Sequence, residues 1–362
     1  MAVSTISATG LAGSVSQLGK NLVQNGAMTV SQRGTITGQG GTDAYTAIDR
    51  VLLTYSTGES RVTTSQDSTA PSGFSYSLKV DCTTAEGAVA AAEVLSLETR
   101  IEAQDVQHLD YGAATAKTTT LSFWFRSPKT GIHCVALRQG DATRTFIREF
   151  TIASADTFEY FSVTFPGDTG GTITNDTGPG LMVRFPLIAG GNYQGAANSW
   201  VASNIFGTSN QQNLLDDAAN NVYVTGVQLE VGSVATDFEH EPINMTLTKC
   251  LRYYQVISTA TTTATLGVGA CYTTSAAGVV QFLPVTMRAS PTLSISAVSD
   301  FQMSTDATTE VSSVSFDAAG AAASVPFLSG FWTVGSAAHT LNEAVRLRAK
   351  TDDAAIYLTA EL

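Results

Sequence analysis

The stretch 222–242, VYVTGVQLEVGSVATDFEHEP, alternates apolar and polar residues as a half-buried β-strand does, and then runs into a polar exit closed by a proline. The alternation changes phase at Gly226: Val222 and Val224 share one face, and Val227 resumes the period of two one position later. A one-residue slip at a glycine is typical of a β-bulge in an antiparallel strand. The residue composition and pattern change after this stretch, so we interpret the strand as the last of one domain.

The composition favours strands and turns along the whole chain. Charged residues are only 14% of the 362 residues, and runs rich in Glu, Lys, Leu and Arg, which long helices need, are almost missing. A chain of this length is too long for one ordinary core, so two domains are expected. The formal net charge of -12 provides no basic surface for a phosphate backbone, which argues against a nucleic-acid partner.

Short alternating segments predict the strands of the first domain. In LSFWFRS, residues 121–127, Leu121, Phe123 and Phe125 lie on one face and Trp124 lies on the other. One face therefore belongs to the core, and Trp124 is displayed opposite it. Turn clusters rich in Gly, Asn, Asp and Pro separate further strands predicted at 75–82, 131–139, 145–152, 159–165 and 181–187. Regular short strands of this kind predict an all-β protein built on an antiparallel sandwich.

Composition and periodicity divide the chain into four parts. Residues 1–20 are small, polar and without a sustained period, so they are either a disordered end or an anchoring arm that orders on a partner. Residues 21–242 form the expected sandwich, and residues 243–257 are interpreted as a linker. Residues 258–362 are poor in charge and rich in Thr, Ala and Ser, and their short alternating runs predict a second, smaller β-sandwich.

The four cysteines are expected to be buried free thiols. Cys82, Cys134, Cys250 and Cys271 lie far apart and form no CxxC pair, which suggests neither a zinc site nor a thioredoxin-like motif. Disulfides between Cys82 and Cys134, and between Cys250 and Cys271, stay open because sequence alone does not decide them. No segment has the pattern of a signal peptide or a membrane span, so we expect assembly in a cytoplasm without membrane insertion.

Several segments resemble a known family. In order, NLVQNGAM, SYSLKV, LSFWFRSPKTG, FEYFSVTFPGD and VYVTGVQLEVG resemble the carbohydrate-binding-module-like jelly roll of many bacteriophage and prophage virion proteins. The later segments EPINMTLTKCLRYYQ, LPVTMRASPTL and AIYLTAEL resemble the carboxyl-terminal part of the same proteins, which are commonly tail fibres, head fibres or spikes. The resemblance covers nearly the whole chain after Lys20.

This resemblance implies a strand arrangement and a homotrimer, and it directs attention to a calcium site. It implies that the first strand, near 21–30, lies beside the last strand, near 222–231, and that the protein is a homotrimer. In related modules a calcium ion is often held between the opening segment and an aspartate of the closing strand. Thr225 and Gly226 occupy that place here, so the expected carboxylate is missing, which counts against calcium, and no other cofactor is predicted.

Five residues are candidates for binding a sugar. A pyranose needs a flat apolar surface for its C–H faces, beside amides or charged groups that satisfy its hydroxyls. Those groups come from a long segment before residue 222 and from two outward strand faces: Tyr193, Asn198 and Trp200, and Trp124 and Arg184. In the alternative interpretation, the aromatic side chains pack the loop onto the domain or fill a subunit interface.

The acidic residues and histidines do not indicate catalysis. Glycoside cleavage requires two carboxyl groups close in space, whereas Asp216 with Asp217, and Glu239 with Glu241, are merely near neighbours in turn-like sequence. The four histidines show neither HxH nor HExxH spacing, and GxSxG and phosphate-loop patterns are missing. We therefore expect a protein that is not an enzyme. A depolymerase with carboxylates brought together across a trimer interface is the less favoured alternative.

These expectations combine into one functional hypothesis. The chain is predicted to be a surface protein of a virion, docked on other virion proteins through its N-terminal arm, that attaches the particle to a glycan of the host cell surface. The alternative from a different class is a decoration, or cement, protein that stabilises the capsid or tail.

Overall fold

The computed structural model describes residues 19–258, 261–305, 308–316, 327–334 and 339–362. Within these ranges regular structure is overwhelmingly antiparallel β, which confirms the predicted all-β class. Of the predicted N-terminal arm, only Gly19 and Lys20 fall inside the described ranges. No helix in these ranges is long and apolar enough to cross a membrane.

The chain forms two compact units, each assembled from more than one segment. The first contains the described residues up to Thr29, Thr35–Ala47 and Val51–Ile243. The second contains Val30–Gly34, Ile48–Arg50 and Asn244–Leu362. Two short segments near the N-terminus therefore belong to the second unit, although nothing in the local sequence indicates a boundary there.

The strands of the first unit are β1 (Ile36–Gln39), β2 (Ala44–Tyr45), β3 (Val51–Tyr55), β4 (Arg61–Asp67), β5 (Ser77–Thr84), β6 (Val94–Glu102), β7 (Thr119–Arg126), β8 (Gly131–Gln139), β9 (Arg144–Ile152), β10 (Glu159–Phe165), β11 (Pro179–Ala189), β12 (Trp200–Val201) and β13 (Asn221–Val231). Short 3-10 helices lie at Ala103–Leu109 and Gly191–Tyr193. Sheet A has the order β1-β4-β5-β13-β7-β10, and sheet B has the order β12-β9-β8-β11-β6-β3-β2.

Phenylalanines from both sheets meet in the core of this unit. The ring of Phe123 in sheet A lies 5.1 Å from that of Phe150 and 5.0 Å from that of Phe185, both in sheet B. Leu121 and Phe125, on the same side of β7 as Phe123, are also buried. The two sheets therefore face each other as a sandwich, and the core face predicted for β7 is confirmed.

The opening segment, 21–30, lies beside β13, as the resemblance implies. The Leu22 N–H donates to the Leu229 carbonyl at 2.8 Å, and the Val227 N–H donates to the Gly26 carbonyl at 2.9 Å. The segment is nevertheless not a strand, because the chain turns at residues 24–27. Here the prediction of a first strand is corrected: the adjacency is present, and a turn interrupts the extended backbone.

The bulge predicted at Gly226 is present in β13. Pairing with β7 is regular up to Thr225, which lies opposite Trp124, and the register shifts between Thr225 and Gln228. Gly226 has a φ of +63°, a left-handed conformation in which glycine avoids the Cβ clash of other residues. The phase slip of the sequence is therefore the one-residue insertion of a β-bulge.

After these two short segments, the regular elements of the second unit are α1 (Ile243–Leu251), of which the first residue is assigned to the first unit, β14 (Tyr254–Ser258), β15 (Thr265–Cys271), β16 (Ala276–Phe282), β17 (Thr292–Ile295), β18 (Phe301–Ser304), β19 (Thr308–Phe316), β20 (Phe327–Val334), β21 (Ala344–Ala349) and β22 (Ala355–Thr359), with a 3-10 helix at Val298–Asp300. Three strands form a sheet of order β14-β22-β17, and six close into a barrel of order β15-β16-β20-β19-β18-β21. The second β domain is thus a closed barrel with a small sheet, where the sequence predicted a smaller sandwich.

Glycines allow two neighbouring strands of the barrel to approach closely. A Cβ at Gly269 of β15 would lie 1.8 Å from the Gly278 carbonyl oxygen of β16, so the two strands approach as closely as only glycine permits. Phe301, Trp332 and Leu347 fill the barrel core. The period of two in the sequence is the same in a barrel and a sandwich, so alternation alone did not distinguish them.

The segment interpreted as a linker, 243–257, is part of this structure. It contains α1 and nearly all of β14, which pairs with β22. Cys250 and Tyr253 in this segment have no exposed surface. Its apolar residues therefore contribute to a core, which a free linker does not do.

Ion pairs bind the two N-terminal segments into the second unit. The Glu361 carboxylate receives the Arg33 guanidinium at 2.9 Å and the Arg50 guanidinium at 2.5 Å. The same guanidiniums lie over the rings of Tyr254 and Tyr253, at 3.6 and 3.4 Å from the ring centroids. These contacts satisfy charges that would otherwise be costly to bury.

All four cysteines, Cys82, Cys134, Cys250 and Cys271, are buried and free, as expected. Burial raises the pKa of the Cys82 thiol to about 11. The thiol therefore stays protonated near neutral pH, and the cysteines act as small core residues.

Candidate functional site

Two aromatic side chains lie side by side on the outer face of sheet A. In β7 and β10 the core-facing residues alternate with outward ones, and the pairing register places Trp124 directly opposite Tyr160. Their ring centroids are 5.4 Å apart. Tyr160 is 48% exposed and Trp124 is partly exposed, so this pair presents apolar surface to solvent.

A second aromatic group lies next to this pair. Phe74, in the loop between β4 and β5, packs against Phe238 and His240 with centroid distances of 5.0 and 5.2 Å. Phe238 and His240 belong to the exit after β13, which folds back over the outer face of sheet A. The Gln228 side chain holds the exit there, since its Oε1 accepts the Glu239 N–H at 2.8 Å.

Gly226 is the point at which the two aromatic groups meet. A Cβ at this position would lie 2.8 Å from Cζ of Phe74 and 3.0 Å from Cδ1 of Trp124. Both rings therefore rest on the glycine backbone. Tyr76, 38% exposed, lies in the same loop as Phe74, and its carbonyl accepts the Thr225 hydroxyl at 2.8 Å. We call the following five side chains the aromatic face: Phe74, Trp124, Tyr160, Phe238 and His240.

Charged residues form the next row of sheet A. Tyr223 of β13 lies opposite Lys79 of β5 and Arg126 of β7. The Arg126 guanidinium lies 4.8 Å from the Tyr223 ring centroid and 3.8 Å from the Asp156 carboxylate, and Lys79 lies 3.8 Å from Asp81. Burial raises the pKa of Tyr223, so the phenol remains protonated at neutral pH. This row supplies hydrogen-bond donors and acceptors beside the aromatic face.

The structure does not bring the five predicted sugar-binding residues into one site. Trp124 lies on the outer face of sheet A, as predicted. Trp200 lies at the edge of sheet B, where its indole N–H donates to the Pro166 carbonyl at 2.8 Å and its ring packs against Tyr111 and Phe146. This contact set matches the alternative interpretation, in which the aromatic residues pack the loop onto the domain.

Tyr193 and Asn198 also hold the long loop in place. The Tyr193 hydroxyl donates to Ser56 Oγ at 3.0 Å, and its ring packs edge-on against Phe206 at 5.5 Å. The Asn198 side-chain oxygen accepts from Arg148 at 2.5 Å, and its backbone N–H donates to the Ile147 carbonyl at 2.9 Å. The loop is therefore ordered by these residues and lies against sheet B.

Arg184 lies on an outward strand face, as predicted, and is covered there. Arg184 lies on the outer face of sheet B, but it is only 4% exposed because the long loop covers it. Its guanidinium binds the Glu98 carboxylate at 2.5 Å and the Asn204 side-chain oxygen at 2.7 Å. It also lies over the Phe206 ring, 4.1 Å from the centroid.

The carboxylates considered for catalysis have structural partners. Asp216 binds the Lys129 ammonium and accepts from the Asn220 side chain, and Asp217 accepts the Ala219 N–H at 2.9 Å. The Glu239 carboxylate accepts the backbone N–H groups of Gly19 and Asn21, which joins the exit after β13 to the opening segment.

The residues at the implied calcium position do not fit a calcium ion. Gly226 has no side chain, and the Thr225 hydroxyl donates to a backbone carbonyl. Asn21, in the opening segment, uses its side-chain oxygen to accept the Val23 and Leu229 N–H groups. Within the described ranges no three His, Cys, Asp or Glu side chains cluster as metal ligands would. Calcium prefers six to eight oxygen ligands, and the closing strand offers no carboxylate at Thr225 or Gly226 to begin such a set.

No protein-family model and no curated protein sequence matches this chain. Among solved structures, the enzymatically active domain of tailspike protein 4 from bacteriophage CBA120 is similar at 13% identity and a TM-score of 0.30, covering 59% of this chain and 22% of that one. The MgGH51 α-L-arabinofuranosidase is similar at 11% identity and a TM-score of 0.32, covering 64% and 30%. The chain thus spans less than a third of either protein.

A smaller protein is covered over nearly its whole length. The family 11 carbohydrate-binding module from Clostridium thermocellum is similar at 11% identity and a TM-score of 0.28, covering 56% of this chain and 98% of the module. These TM-scores are too low to carry an argument, so the functional proposal depends on the residues of this chain.

Sequence reasoning missed most of the aromatic face. Tyr160 lies in a strand that was predicted, and its outward position could have been found from the alternation of EYFSVTF, in which Phe161, Val163 and Phe165 face inward. Phe74 and Phe238 lie in turns without a period and 164 residues apart. Nothing local indicates that they meet.

Proposed function

We propose that this chain is a non-enzymatic surface protein of a virion that attaches the particle to a glycan of the host cell surface. The observation that carries the proposal is the aromatic face of sheet A, with Trp124 and Tyr160 adjacent and exposed. Partly exposed aromatic rings provide the flat apolar surface on which the C–H faces of a sugar ring stack. The virion location is supported by the sequence resemblance.

The row beside the aromatic face supplies the polar half of such a site. Arg126 and Lys79 are donors, and Asp81 and Asp156 are acceptors. Arg126 lies two residues from Trp124 in β7, on the same face of sheet A. Sugar hydroxyls both donate and accept hydrogen bonds, so a mixed row of this kind suits them better than a row of one charge. An exposed apolar patch bordered by polar groups is typical of a binding surface.

The proposal includes the absence of catalysis. The Glu239 carboxylate is buried and receives two backbone N–H groups, and Asp216 receives a lysine, so each has a role in holding the fold. The homotrimer and the docking on other virion proteins through the N-terminal arm belong to the same proposal. They rest on the resemblance.

A glycan array and an adsorption assay with host cells test the proposal. The full chain is compared with Trp124→Ala and Tyr160→Ala, and we expect each variant to lose at least about tenfold in affinity, because each removes stacking surface. Phe282→Ala is the matched control, since Phe282 is a 73% exposed aromatic residue in the second unit.

If the wild type binds no host glycan, or if Trp124→Ala and Tyr160→Ala bind as the wild type does, the attachment role is wrong. Particles that lack the protein, adsorb normally and rupture sooner would then support the decoration role. Release of reducing sugar ends from a bound polysaccharide would contradict the non-enzymatic part.

A further inference from the structure

Three arginines lie together on the outer face of sheet B. In neighbouring strands, Met182 of β11 is opposite both Arg138 of β8 and Arg100 of β6, and one row away Arg184 of β11 is opposite Glu98 of β6. Residues two apart in a strand share a face, so all five side chains emerge on one side. We call Arg100, Arg138 and Arg184 the arginine cluster.

Within the cluster, Arg138 has fewer hydrogen-bond acceptors than its donors require. The Glu98 carboxylate, whose side chain has no exposed surface, accepts from Arg184 Nε and from Arg100 Nε, both at 2.5 Å. The Arg138 Nη1 group instead points at the thioether sulfur of Met182, 3.0 Å away, and Arg184 Nη2 lies 3.9 Å from the same sulfur. Arg138 Nε has no hydrogen-bond partner among the described residues. Thioether sulfur is a weak acceptor, so two guanidiniums converge where an oxygen is missing.

Burial also affects the charges of Arg184 and Arg138. Burial lowers the pKa of Arg184 to about 10, and burial lowers that of Arg138 as well. Burial therefore disfavours the charged form of these two guanidiniums. They belong to a chain whose formal net charge is -12.

The cluster is open to solvent on one side. The Arg100 side chain is 22% exposed and Arg138 is partly exposed. On the other side, Asn204 and Phe206 of the long loop hold Arg184 through a hydrogen bond at 2.7 Å and a stacking contact at 4.1 Å. The guanidiniums are thus held in position by the fold while Arg138 and Arg100 remain within reach of a ligand.

We propose that the arginine cluster binds the anionic group, carboxylate or phosphate, of an acidic sugar. Such a group would provide the oxygen acceptors that Arg138 lacks, in the charge-assisted hydrogen bonds that guanidinium forms well. The site is on the opposite sheet from the aromatic face, so it is a second binding surface. It rests on the proposed function in that the anion belongs to a glycan, and it names the class of glycan as acidic.

Calorimetric titration of the full chain tests this site. The probes are tetragalacturonate, its fully methyl-esterified form as the uncharged match, and inorganic phosphate. We expect the acid to bind at least about tenfold more tightly than the ester, because a charged hydrogen bond to guanidinium contributes this much. If phosphate binds and tetragalacturonate does not, the ligand bears a phosphate. If tetragalacturonate binds and phosphate does not, the ligand is a uronate. Either result supports the site.

Arg138→Gln is the informative variant, since it leaves the Glu98 pairs with Arg100 and Arg184 in place. We expect it to weaken tetragalacturonate or phosphate binding about tenfold, with an unchanged thermal unfolding midpoint showing that the variant is folded. Arg346→Gln, which removes an exposed arginine of the barrel, is the matched control and should bind as the wild type does.

Equal affinity for acid and ester, wild-type affinity in Arg138→Gln, or no binding of either anionic probe would overturn the proposal. The test is independent of the aromatic face. Trp124→Ala should still bind the anionic probes through Arg138. Loss of binding at the aromatic face and loss of binding at the arginine cluster are therefore separate results.

Discussion

Gly226 connects the strand pattern with the surface above it. Its φ of +63° forms the bulge, and its missing side chain allows Phe74 and Trp124 to meet. Sequence predicted the bulge because a phase slip in alternation is local. It did not predict the contact with Phe74, which lies 152 residues earlier in the chain.

We expect Gly226→Ala to lower the free energy of unfolding by about 2 kcal/mol, through left-handed backbone strain and the displacement of two rings. Gly87→Ala is the control, because a Cβ at Gly87 would meet nothing within 4 Å and its φ is not positive. Denaturant unfolding of both variants measures the difference. Equal stability of Gly226→Ala and the wild type would show that the bulge tolerates a side chain.

His133 should make the stability of the first unit depend on pH. Its ring is buried beside Phe125 and Phe150, its Nε2 lies 2.9 Å from the Lys129 carbonyl, and burial lowers its pKa below the ordinary value of 6.5. Between the lowered pKa and 6.5 the unfolded chain binds a proton that the folded chain does not. The free energy of unfolding therefore falls as the pH falls through this range.

Comparison with His133→Phe isolates this contribution. Denaturant unfolding at several pH values between 5 and 7.5 should give a wild-type slope steeper than that of the variant by up to about 1.4 kcal/mol per pH unit. Parallel slopes for the two proteins would show that His133 titrates equally in the folded and unfolded chains.

At the scale of elements, the opening segment and β13 are hydrogen-bonded to each other along a line that we call the seam of the sandwich. Asn21 spans it: its side-chain oxygen accepts the Leu229 N–H at 3.1 Å, and its side-chain nitrogen donates to the Val227 carbonyl at 3.1 Å. The resemblance predicted that these segments are adjacent. It did not predict that a side chain makes part of the pairing, because the turn at 24–27 interrupts the ladder.

Asn21→Ala should therefore loosen this seam locally. We expect the Leu229 amide to exchange its hydrogen at least about tenfold faster than in the wild type, since its acceptor is removed. Asn192→Ala, an exposed asparagine in the long loop, is the control. An unchanged exchange rate at Leu229 would show that the backbone bonds alone hold the seam.

The long loop shows where strand patterns stop being informative. Alternation places Arg184 on the outer face of β11, which is correct, but alternation does not tell whether an outer face is exposed. The loop then covers that face, because Ile205 packs onto Cys134, Ala136 and Ile147 of β8 and β9. The path of a loop without a period is decided by such long-range contacts, which no local pattern contains.

At the scale of the whole molecule, the all-β class and the sandwich could be predicted, because alternation and turn residues act within a few positions. The closed barrel could not be predicted, since the period of two is the same in a barrel and in a sandwich. The assignment of Val30–Gly34 and Ile48–Arg50 to the second unit depends on Arg33 and Arg50 reaching Glu361, more than 300 residues away in sequence.

The central claim is that a glycan binds the aromatic face through Trp124. The chain has three tryptophans, Trp124, Trp200 and Trp332, so 5-fluorotryptophan labelling gives three fluorine signals. Trp332 is 2% exposed and the Trp200 indole N–H is bonded to Pro166. A Trp124→Phe variant assigns the signal of Trp124.

Titration with a glycan identified on the array should move the Trp124 signal in a saturable way and leave those of Trp200 and Trp332 in place. Movement of the Trp200 signal alone, or saturable binding with all three signals unmoved, would contradict the account.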